Sequence, residues 1–414
     1  ELLCDISGFA RPYTMTALMG SSGGVLLLPH CPKAGKTTLL DTLAQRKTGG
    51  TTQGKLLPTE HCNAGSITVN GHALSSKTFR RVMGYCEQND LHSSSSTVRE
   101  ALMFSANLRL ERFSYDERAR FVDTVLELLE LTNEAHLLVG TLETGGLSIE
   151  QRKRLTMGVE LVANPSVIFL DEPTSGLDSR AALVEECVVM YAPRGGRVVF
   201  FNELGDHCRN LAEYFEAIPG TEKFPDGANP AEWMLQVIDP SRGTSLQSYL
   251  ASEQELQLDY AVVYANHPLH KQNQDVMIEL SKPAAGSNPI RFSRTFASSV
   301  PKQARYVFQK IFRLYWRSPN YSFVRMALLC VIALFFGTVY FNVNTNDEAG
   351  MHSGIAIIYF STVFVGVINM NTVMPVAQAE RAVFYRERAS KTYNNWVYSA
   401  AFAAVEIPYL IVNA

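Results

Sequence analysis

The sequence predicts an α/β domain followed by an all-α transmembrane domain, and three observations predict this. Val167–Leu170 is a continuous apolar run after an Asn-Pro turn, which is typical of a strand buried on both faces of a parallel sheet. Asp171-Glu172 follows, so two carboxylates stand at the carboxyl end of a strand, where α/β sheets place ligands. Towards the end of the chain, apolar runs long enough for membrane helices alternate with charged segments.

Composition limits the classes of protein that fit. A chain of 414 residues has room for about two or three domains. The formal charge of −3 leaves no general basic footprint, so nucleic acid is not an expected partner. Seven cysteines show no metal-type spacing and are interpreted as reduced cytosolic or membrane thiols. Because the chain has no signal peptide and begins with Glu1, we expect a fragment of a longer protein.

A phosphate-binding loop is expected after a short strand at Thr16–Met19. Ten residues, Gly24–Lys33, separate its glycine half from its helical half, and without them the segment would read GSSGAGKTT, a complete Walker A sequence. In an intact loop, backbone N–H groups surround the β-phosphate, Lys36 bridges the β- and γ-phosphates and Thr37 binds Mg²⁺. The alternative is that this segment merely begins a helix. The candidate residues are Gly20, Ser21, Ser22, Gly23, Ala34, Gly35, Lys36, Thr37 and Thr38.

Thr97-Val98-Arg99-Glu100 is a capping box that predicts the start of a helix. Between residues 117 and 131, apolar side chains recur at helical spacing and predict a core-facing stripe. Its members are Phe121, Val122, Val125, Leu128 and Leu129.

The segment Gly145–Asp178 reads GGLSIEQRKRLTMGVELVANPSVIFLDEPTSGLD. It resembles the signature motif, Walker B strand and D-loop of ABC transporter ATPases. It is similar above all to the second nucleotide-binding domain of pleiotropic-drug-resistance (PDR) transporters, which belong to the G subfamily. The resemblance implies an α/β P-loop NTPase, that is, an ABC ATPase domain with a helical subdomain, and implies ATP and Mg²⁺ as cofactors.

The resemblance also implies roles for individual residues. Glu172 would be catalytic and polarise the attacking water, and the metal would be held by Thr37, Gln88 and Asp171. The signature would act on nucleotide held by a first-half nucleotide-binding domain, and the replacement of two glycines by Ile149 and Glu150 should weaken its phosphate contact. The remaining expected nucleotide-binding residues are Leu147, Ser148, Ile149, Glu150, Gln151 and Asp178.

Three departures from the family pattern interrupt the domain. Inserts lie near 24–33 and 54–65, and we interpret both as translated intron sequence or a gene-model error. A deletion near 184–194 removes the segment in which the family carries its H-loop histidine. His207 is not assigned to that role, because its context matches a later hairpin.

Domain bounds follow from these patterns: a nucleotide-binding domain at 1–240, a linker at 241–300, and at 301–414 an interfacial helix with the first three transmembrane helices, truncated. Three spans are predicted. The first is Met326–Phe341, which Tyr321–Val324 extend across Arg325, and the others are Ile355–Val376 and Trp396–Ala414. Basic residues in the loop 380–391 place that loop and the nucleotide-binding domain in the cytosol. Two alternatives remain for Glu406. It could be a substrate or proton site, or it could have a structural or coupling role, which the match of EIPY to the family favours.

The predicted function is that of an ATP-binding and ATP-hydrolysing half of an ABC exporter in the plasma membrane. Membrane lipid, a first-half nucleotide-binding domain and a hydrophobic transport substrate (drug, lipid or toxin) are its expected partners. The alternative is a catalytically inactive fragment or gene-model product with an interrupted Walker A sequence and no H-loop. A soluble ATPase of the DNA-repair kind is disfavoured by the hydrophobic spans.

Overall fold

A computed structural model of the protein describes most of the chain. The described residues are 3, 5–20, 35–46, 67–75, 79–141, 145–173, 186–191, 196–225, 227–238, 259–341 and 347–413. They form two compact units. The first unit is Glu1–Ser76 with Asp178–Arg291, and the second is Lys77–Leu177 with Phe292–Ala414.

The described chain contains both strands and helices. The strands are β1 Thr16–Gly20, β2 Thr68–Val69, β3 His72–Ala73, β4 Met83–Cys86, β5 Gly140–Thr141, β6 Gly145–Gly146, β7 Val167–Leu170, β8 Glu186–Tyr191 and β9 Arg197–Glu203. The helices are α1 Lys36–Leu43, α2 Val98–Arg109, α3 Tyr115–Leu128, α4 Ile149–Leu161, α5 Arg209–Glu216, α6 Pro230–Ile238, α7 Tyr260–Asn266, α8 Pro268–Leu280, α9 Val300–Trp316, α10 Pro319–Val339, α11 Glu348–Ala389 and α12 Asn395–Asn413.

In the first unit, a three-stranded sheet contains the strand predicted at Thr16–Met19, which is β1. β1 runs parallel to β8, and β8 runs antiparallel to β9. The sequence of β9 is RVVFFNE, and its β-branched and aromatic side chains fit the pleated surface of a sheet. Phe200 is completely buried and Phe201 nearly so. Burial of each such ring stabilises the fold by about 1.5–3 kcal/mol.

Helices cover this sheet and complete the core of the first unit. Phe215, Trp233 and Met234 pack in the same cluster as Phe200. Helices α7 and α8, which lie within the range 241–300, pack against β9, and Asn273 Nδ2 donates a hydrogen bond to the Phe201 carbonyl at 2.6 Å. The predicted division at 240 and 300 remains a prediction.

A short hairpin, β2–β3, turns at Asn70-Gly71. Both turn residues have left-handed backbone, with φ of 52° and 77°. Asn-Gly is the sequence that tolerates two positive φ angles in a two-residue hairpin. A Cβ on Gly71 would lie 2.4 Å from the Pro283 nitrogen, so the close approach of this backbone also requires glycine.

The second unit contains the strand predicted at Val167–Leu170. It is β7, and it pairs in parallel with β4, from Met83 opposite Val167 to Cys86 opposite Leu170. The predicted burial on both faces is wrong: Val167, Phe169 and Leu170 are half-buried, and Ile168 is 38% exposed. Among the described strands β4 is the one that pairs with β7, and so small a sheet leaves part of the strand uncovered.

Helices α2, α3 and α4 pack together beside these strands. The predicted capping box is present, since Thr97 Oγ1 accepts from the Glu100 N–H and Glu100 accepts from the Thr97 N–H. The stripe on α3 is confirmed at Val122 and Val125 but is wrong at Leu128, which is 69% exposed. Leu126 is buried in its place, because the helix presents the turn that includes residues 122, 125 and 126 to α2 and α4.

Helices α9 to α12 form the C-terminal part of the second unit. Of the described residues, one helix, Glu348–Ala389, is long and apolar enough to cross a membrane, and Phe323–Val339 is a shorter apolar helix. The predicted third span is also a helix, α12, but its described residues do not meet the criterion of length and apolar composition for crossing a membrane. The predicted loop 380–391 is wrong in structure, because α11 continues unbroken to Ala389 and carries most of that loop's basic residues. Its run of alanine, glutamate and arginine is rich in good helix formers.

A core of aromatic and aliphatic side chains joins α9, α10 and α12. Tyr315 and Tyr321 are buried and stack with ring centroids 4.4 Å apart. Val307 and Val397 are buried in the same cluster, and so is Leu108 of α2. The helices of the ATPase-like segment and the C-terminal helices therefore share one core.

Candidate nucleotide site

Helix α1 begins where the GKTT sequence predicts it. Gly35 is its N-cap with a left-handed backbone (φ 76°), a conformation that glycine adopts without the cost of a Cβ. Among the described residues no side chain caps the helix, and its first turn, KTTL, contains no acidic residue. Thr37 and Thr38 lie in that first turn, beside backbone N–H groups that favour an anion. The alternative that GKTT only begins a helix is compatible with this geometry.

Lys36 points back towards the end of β1. Its Nζ donates a hydrogen bond to the Gly20 carbonyl at 2.6 Å, across sixteen positions of sequence. The contact joins the last residue of the strand to the first residue of the helix, the two elements between which a phosphate-binding loop would run. Ser21, Ser22, Gly23 and Ala34 lie outside the described residues, as do both predicted inserts.

The carboxyl ends of β4 and β7 bring two other predicted residues together. Gln88 Nε2 donates a hydrogen bond to Glu172 Oε2 at 2.7 Å. Asp171 is buried, with 6% of the residue exposed, and its N–H donates to the Cys86 carbonyl at 3.0 Å. The two strands end at the same edge because they are parallel, so Gln88 and the carboxylate pair meet there.

Glu172 has a left-handed backbone, with φ of 50°. For a residue with a Cβ this conformation costs on the order of 1 kcal/mol and persists only where the surrounding structure imposes it. The turn from the buried Asp171 to Pro173 holds the Glu172 side chain in an exposed position at the strand end. A strained, exposed carboxylate beside a buried one is the arrangement expected of a reactive group.

The signature segment is built around a helix cap. Ser148 is the N-cap of α4, its Oγ accepts from the Gln151 N–H, and the Gln151 side chain accepts from the Ser148 N–H. This cap uses the hydroxyl as an acceptor and leaves its hydrogen able to donate to an anion. Leu147 is buried and Ile149 is 58% exposed.

Glu150 lies one residue further on and pairs with Arg154 at 2.5 Å. This ion pair offsets part of the negative charge that the sequence places at the start of α4. Asp178 lies outside the described residues, and so do residues 184–185 and 192–194, whereas residues 186–191 form β8. The structure therefore tests neither the D-loop assignment nor the predicted deletion.

Lys153 is a functional candidate that sequence reasoning missed. It is 2% exposed, and its Nζ donates to the carbonyl oxygens of Gln88 at 3.0 Å and Glu87 at 3.3 Å. It also lies 3.9 Å from Asp90. A signal was present in the sequence, because Lys153, Thr156 and Glu160 recur at helical spacing as polar residues on the inward face of α4.

Two separate sets of these residues suit two different parts of Mg·ATP, the phosphates and the metal ion. An uncapped helix N-terminus with a lysine suits the phosphates, and an Asp carboxylate with a Gln amide oxygen suits a hard divalent cation. The two sets belong to different units of the chain, the first to Glu1–Ser76 and the second to Lys77–Leu177.

Comparison with known proteins gives the same class. Residues 3–175 match the family described as ABC transporter, and residues 302–414 match the family described as ABC-2 type transporter. The fold and the site thus define an ABC ATPase domain followed by a helical membrane domain. A domain of the first family implies ATP binding, typically with Mg²⁺, and suggests ATPase activity in the family.

Along its whole length the chain is similar to ABC transporter G family members. It is 40% identical over 449 residues to member 42 of Oryza sativa subsp. japonica, covering all of this chain and 28% of the relative. It is 39% identical over 442 residues to member 39 of Arabidopsis thaliana, with 99% and 28% covered. The chain thus spans little more than a quarter of the length of the relatives that it matches.

Proposed function

We propose that this chain is the ATP-binding and ATP-hydrolysing half of an ABC exporter of the PDR type, made of the second nucleotide-binding domain and the start of the second transmembrane domain. The observation that carries the proposal is the contact of Gln88 with Glu172 beside the buried Asp171. A lone Asp-Glu pair after a strand is common, but a glutamine from the neighbouring parallel strand bonded to the second carboxylate is what a hydrolytic site needs.

Each residue has a role in this proposal. Glu172 is the general base that takes a proton from the attacking water, and Gln88 orients its carboxylate. A bound Mg²⁺ would be held by Asp171, Gln88 and Thr37, and it would neutralise phosphate charge. Lys36 and the N–H groups at the start of α1 bind the β- and γ-phosphates. Ser148 donates to nucleotide held by a first-half domain.

The membrane part moves hydrophobic compounds such as drugs, lipids or toxins across the plasma membrane. Support comes from the apolar helix Glu348–Ala389 and from the ABC-2 type match at 302–414. The basic end of α11 lies on the cytosolic side by the positive-inside rule, together with the nucleotide-binding domain. Membrane lipid and the first-half domain are the expected partners.

The alternative is a chain that no longer hydrolyses ATP. Its support is the ten-residue interruption between Gly23 and Ala34, together with Ile149 and Glu150 in the signature. Binding of nucleotide without turnover would favour it over the exporter.

The test is turnover of Mg·ATP by the full chain in lipid nanodiscs, measured as phosphate release, with binding of a fluorescent ATP analogue measured separately. Glu172→Gln keeps shape and removes the base, and we expect the rate to fall about 10²–10⁴-fold with binding retained. Glu222→Gln, an exposed glutamate of the first unit, is the matched control. Equal rates in Glu172→Gln and wild type would remove Glu172 from catalysis.

A further inference from the structure

Arg386, near the end of α11, contacts the segment that follows β4. Its Nη1 donates to the Leu91 carbonyl and to His92 Nδ1, the second at 3.1 Å. The residue is 8% exposed, and among the described residues no carboxylate pairs with it. By contrast, Lys310 on the neighbouring helix α9 pairs with Glu387 at 2.6 Å. Arg386 is thus a buried cation whose described partners are a carbonyl oxygen and a histidine.

The contacts continue from His92 to α4. His92 Nε2 lies 2.9 Å from Thr156 Oγ1. The one hydrogen of that hydroxyl can be donated to Asp90 Oδ1, at 2.6 Å, or to the Arg152 carbonyl, at 3.0 Å. Thr156 is 3% exposed. The histidine therefore bridges the end of a membrane helix and the helix that begins with the signature segment.

From α4 the contacts reach the proposed catalytic carboxylate. Lys153, one turn before Thr156, pairs with Asp90 at 3.9 Å and donates to the Gln88 carbonyl at 3.0 Å. The Gln88 side chain in turn donates to Glu172. Every step from Arg386 to Glu172 is a direct polar contact within the second unit.

The protonation of His92 follows from its neighbours. A guanidinium can only donate, so His92 Nδ1 must be the acceptor and the ring hydrogen must be on Nε2. Nε2 then donates to Thr156 Oγ1, which sends its own hydrogen to Asp90 or Arg152. The neutral Nε2–H tautomer satisfies all of these contacts, whereas a charged imidazolium would face Arg386 with a second donor.

We propose that His92, as the neutral Nε2–H tautomer, is a positioning residue that couples the end of α11 to Gln88. A shift of Arg386 when the membrane helices move would displace Leu91 and His92, and through Thr156, Asp90 and Lys153 would alter the placement of the Gln88 amide. The inference rests on the proposed function for its catalytic consequence. The contacts themselves do not depend on that function.

Two further observations support the proposal. A cavity of about 340 Å³ is lined by His92, Arg386, Lys310 and Glu387, so these side chains have space to change partners. Burial, and next the charge of Arg386, hold the pKa of His92 well below its ordinary value. The charged groups that face the ring from the packed elements are Arg386 of α11, Arg152 of α4 and Lys310 of α9, with Asp90 beyond Thr156.

The first test is the tautomer of His92 in the full chain in lipid nanodiscs. ¹⁵N-histidine NMR between about pH 5.5 and 8 should show a neutral Nε2–H ring for His92 throughout. The exposed His136 serves as the reference resonance. Assignment comes from His92→Gln and His136→Gln. A His92 ring that becomes charged within this pH range, or that has its hydrogen on Nδ1, overturns the proposal.

The second test examines separately the two hydrogen bonds of the His92 ring, at Nδ1 and at Nε2. His92→Asn keeps an acceptor in place of Nδ1, His92→Gln keeps a donor in place of Nε2, and Thr156→Val removes the hydroxyl while nearly preserving shape. In each of the three, hydrogen exchange across residues 87–92 should be about tenfold faster than in wild type, since each breaks one link to a neighbouring helix. His136→Gln is the control and should leave exchange unchanged.

Turnover provides the readout that a purely structural role would not move. We expect kcat for ATP to fall about tenfold in the His92 variants while KM stays within about twofold. A wild-type chain that does not turn over ATP contradicts the proposed function, and exchange and NMR still decide the coupling. Two results would overturn the positioning role. One is hydrogen exchange in all three variants equal to that of His136→Gln, and the other is a change in KM of the His92 variants with no change in kcat.

Discussion

Glu172 and Glu406 are carboxylates of the second unit with opposite surroundings. Glu172 is exposed, and the described residue that donates to it is Gln88, at 2.7 Å. Glu406 accepts from the Tyr321 hydroxyl at 2.6 Å and pairs with Arg325, which is fully buried, at 3.1 Å. A carboxylate surrounded by strong donors is fixed and neutralised. One whose single described donor is a neutral amide keeps its charge available for chemistry. The contacts of Glu406 therefore favour the structural one of its predicted roles.

The largest effect is expected when Glu406, the carboxylate fixed by strong donors, is removed. Glu406→Ala leaves the Arg325 guanidinium buried without its carboxylate, between the rings of Tyr321 and Tyr409. Loss of one partner of a buried ion pair costs about 3–5 kcal/mol. Thermal unfolding of the full chain in detergent measures the loss.

A double variant sharpens the same prediction. Arg325→Met with Glu406→Leu removes both charges and replaces them with side chains of similar volume. We expect stability to return to within about 1 kcal/mol of wild type or better. A double variant as unstable as Glu406→Ala would show that the pair acts through something other than desolvation of Arg325.

A smaller effect compares two helix caps. Ser148→Ala and Thr97→Ala each remove the side chain of a capping box, and each should lower the free energy of unfolding by about 1 kcal/mol. Thr97 has no proposed contact with nucleotide. If Ser148 also donates to nucleotide in the assembled transporter, only Ser148→Ala should reduce turnover beyond the stability loss. Equal turnover in the two variants would limit Ser148 to capping.

The smallest effect is a pH dependence at Glu100, the capping residue of α2. Burial raises its pKa, but hydrogen bonds from Arg317 and the Thr97 N–H, with the nearby charge of Arg313, outweigh burial and lower it. A lowered folded pKa gives stability that is present above the unfolded value, about 4.3, and is lost as pH falls through the folded value. Glu100→Gln keeps the capping acceptor. Its deficit in melting temperature relative to wild type should therefore be constant from pH 7 to about pH 5 and shrink as the pH falls further to about pH 3. A deficit that stays constant to the lower pH would contradict this.

The local part of the site follows from sequence, and the contacts between distant residues do not. Gly35-Lys36 begins a helix and Ser148 caps one because a few adjacent residues fix the backbone. The hydrogen bond of Gln88 to Glu172 was not predictable in detail, since it depends on the register of β4 against β7. The burial of Lys153 and the partner of Arg386 depend on which helix faces pack together. By contrast, the helix that replaces the loop predicted at 380–391 has a local cause, the helix propensity of its residues.

The sequence by itself determined the class of this protein, the order of its ATPase and membrane domains, and the elements on which Lys36, Asp171 and Glu172 lie. Periodicity and short motifs encode these features because they depend on neighbours within a few residues. Only the tertiary structure decided that Arg386 contacts His92 and that Arg325 pairs with Glu406. These residues are separated by many positions in the chain, and packing of apolar faces, which is non-directional, brings them together.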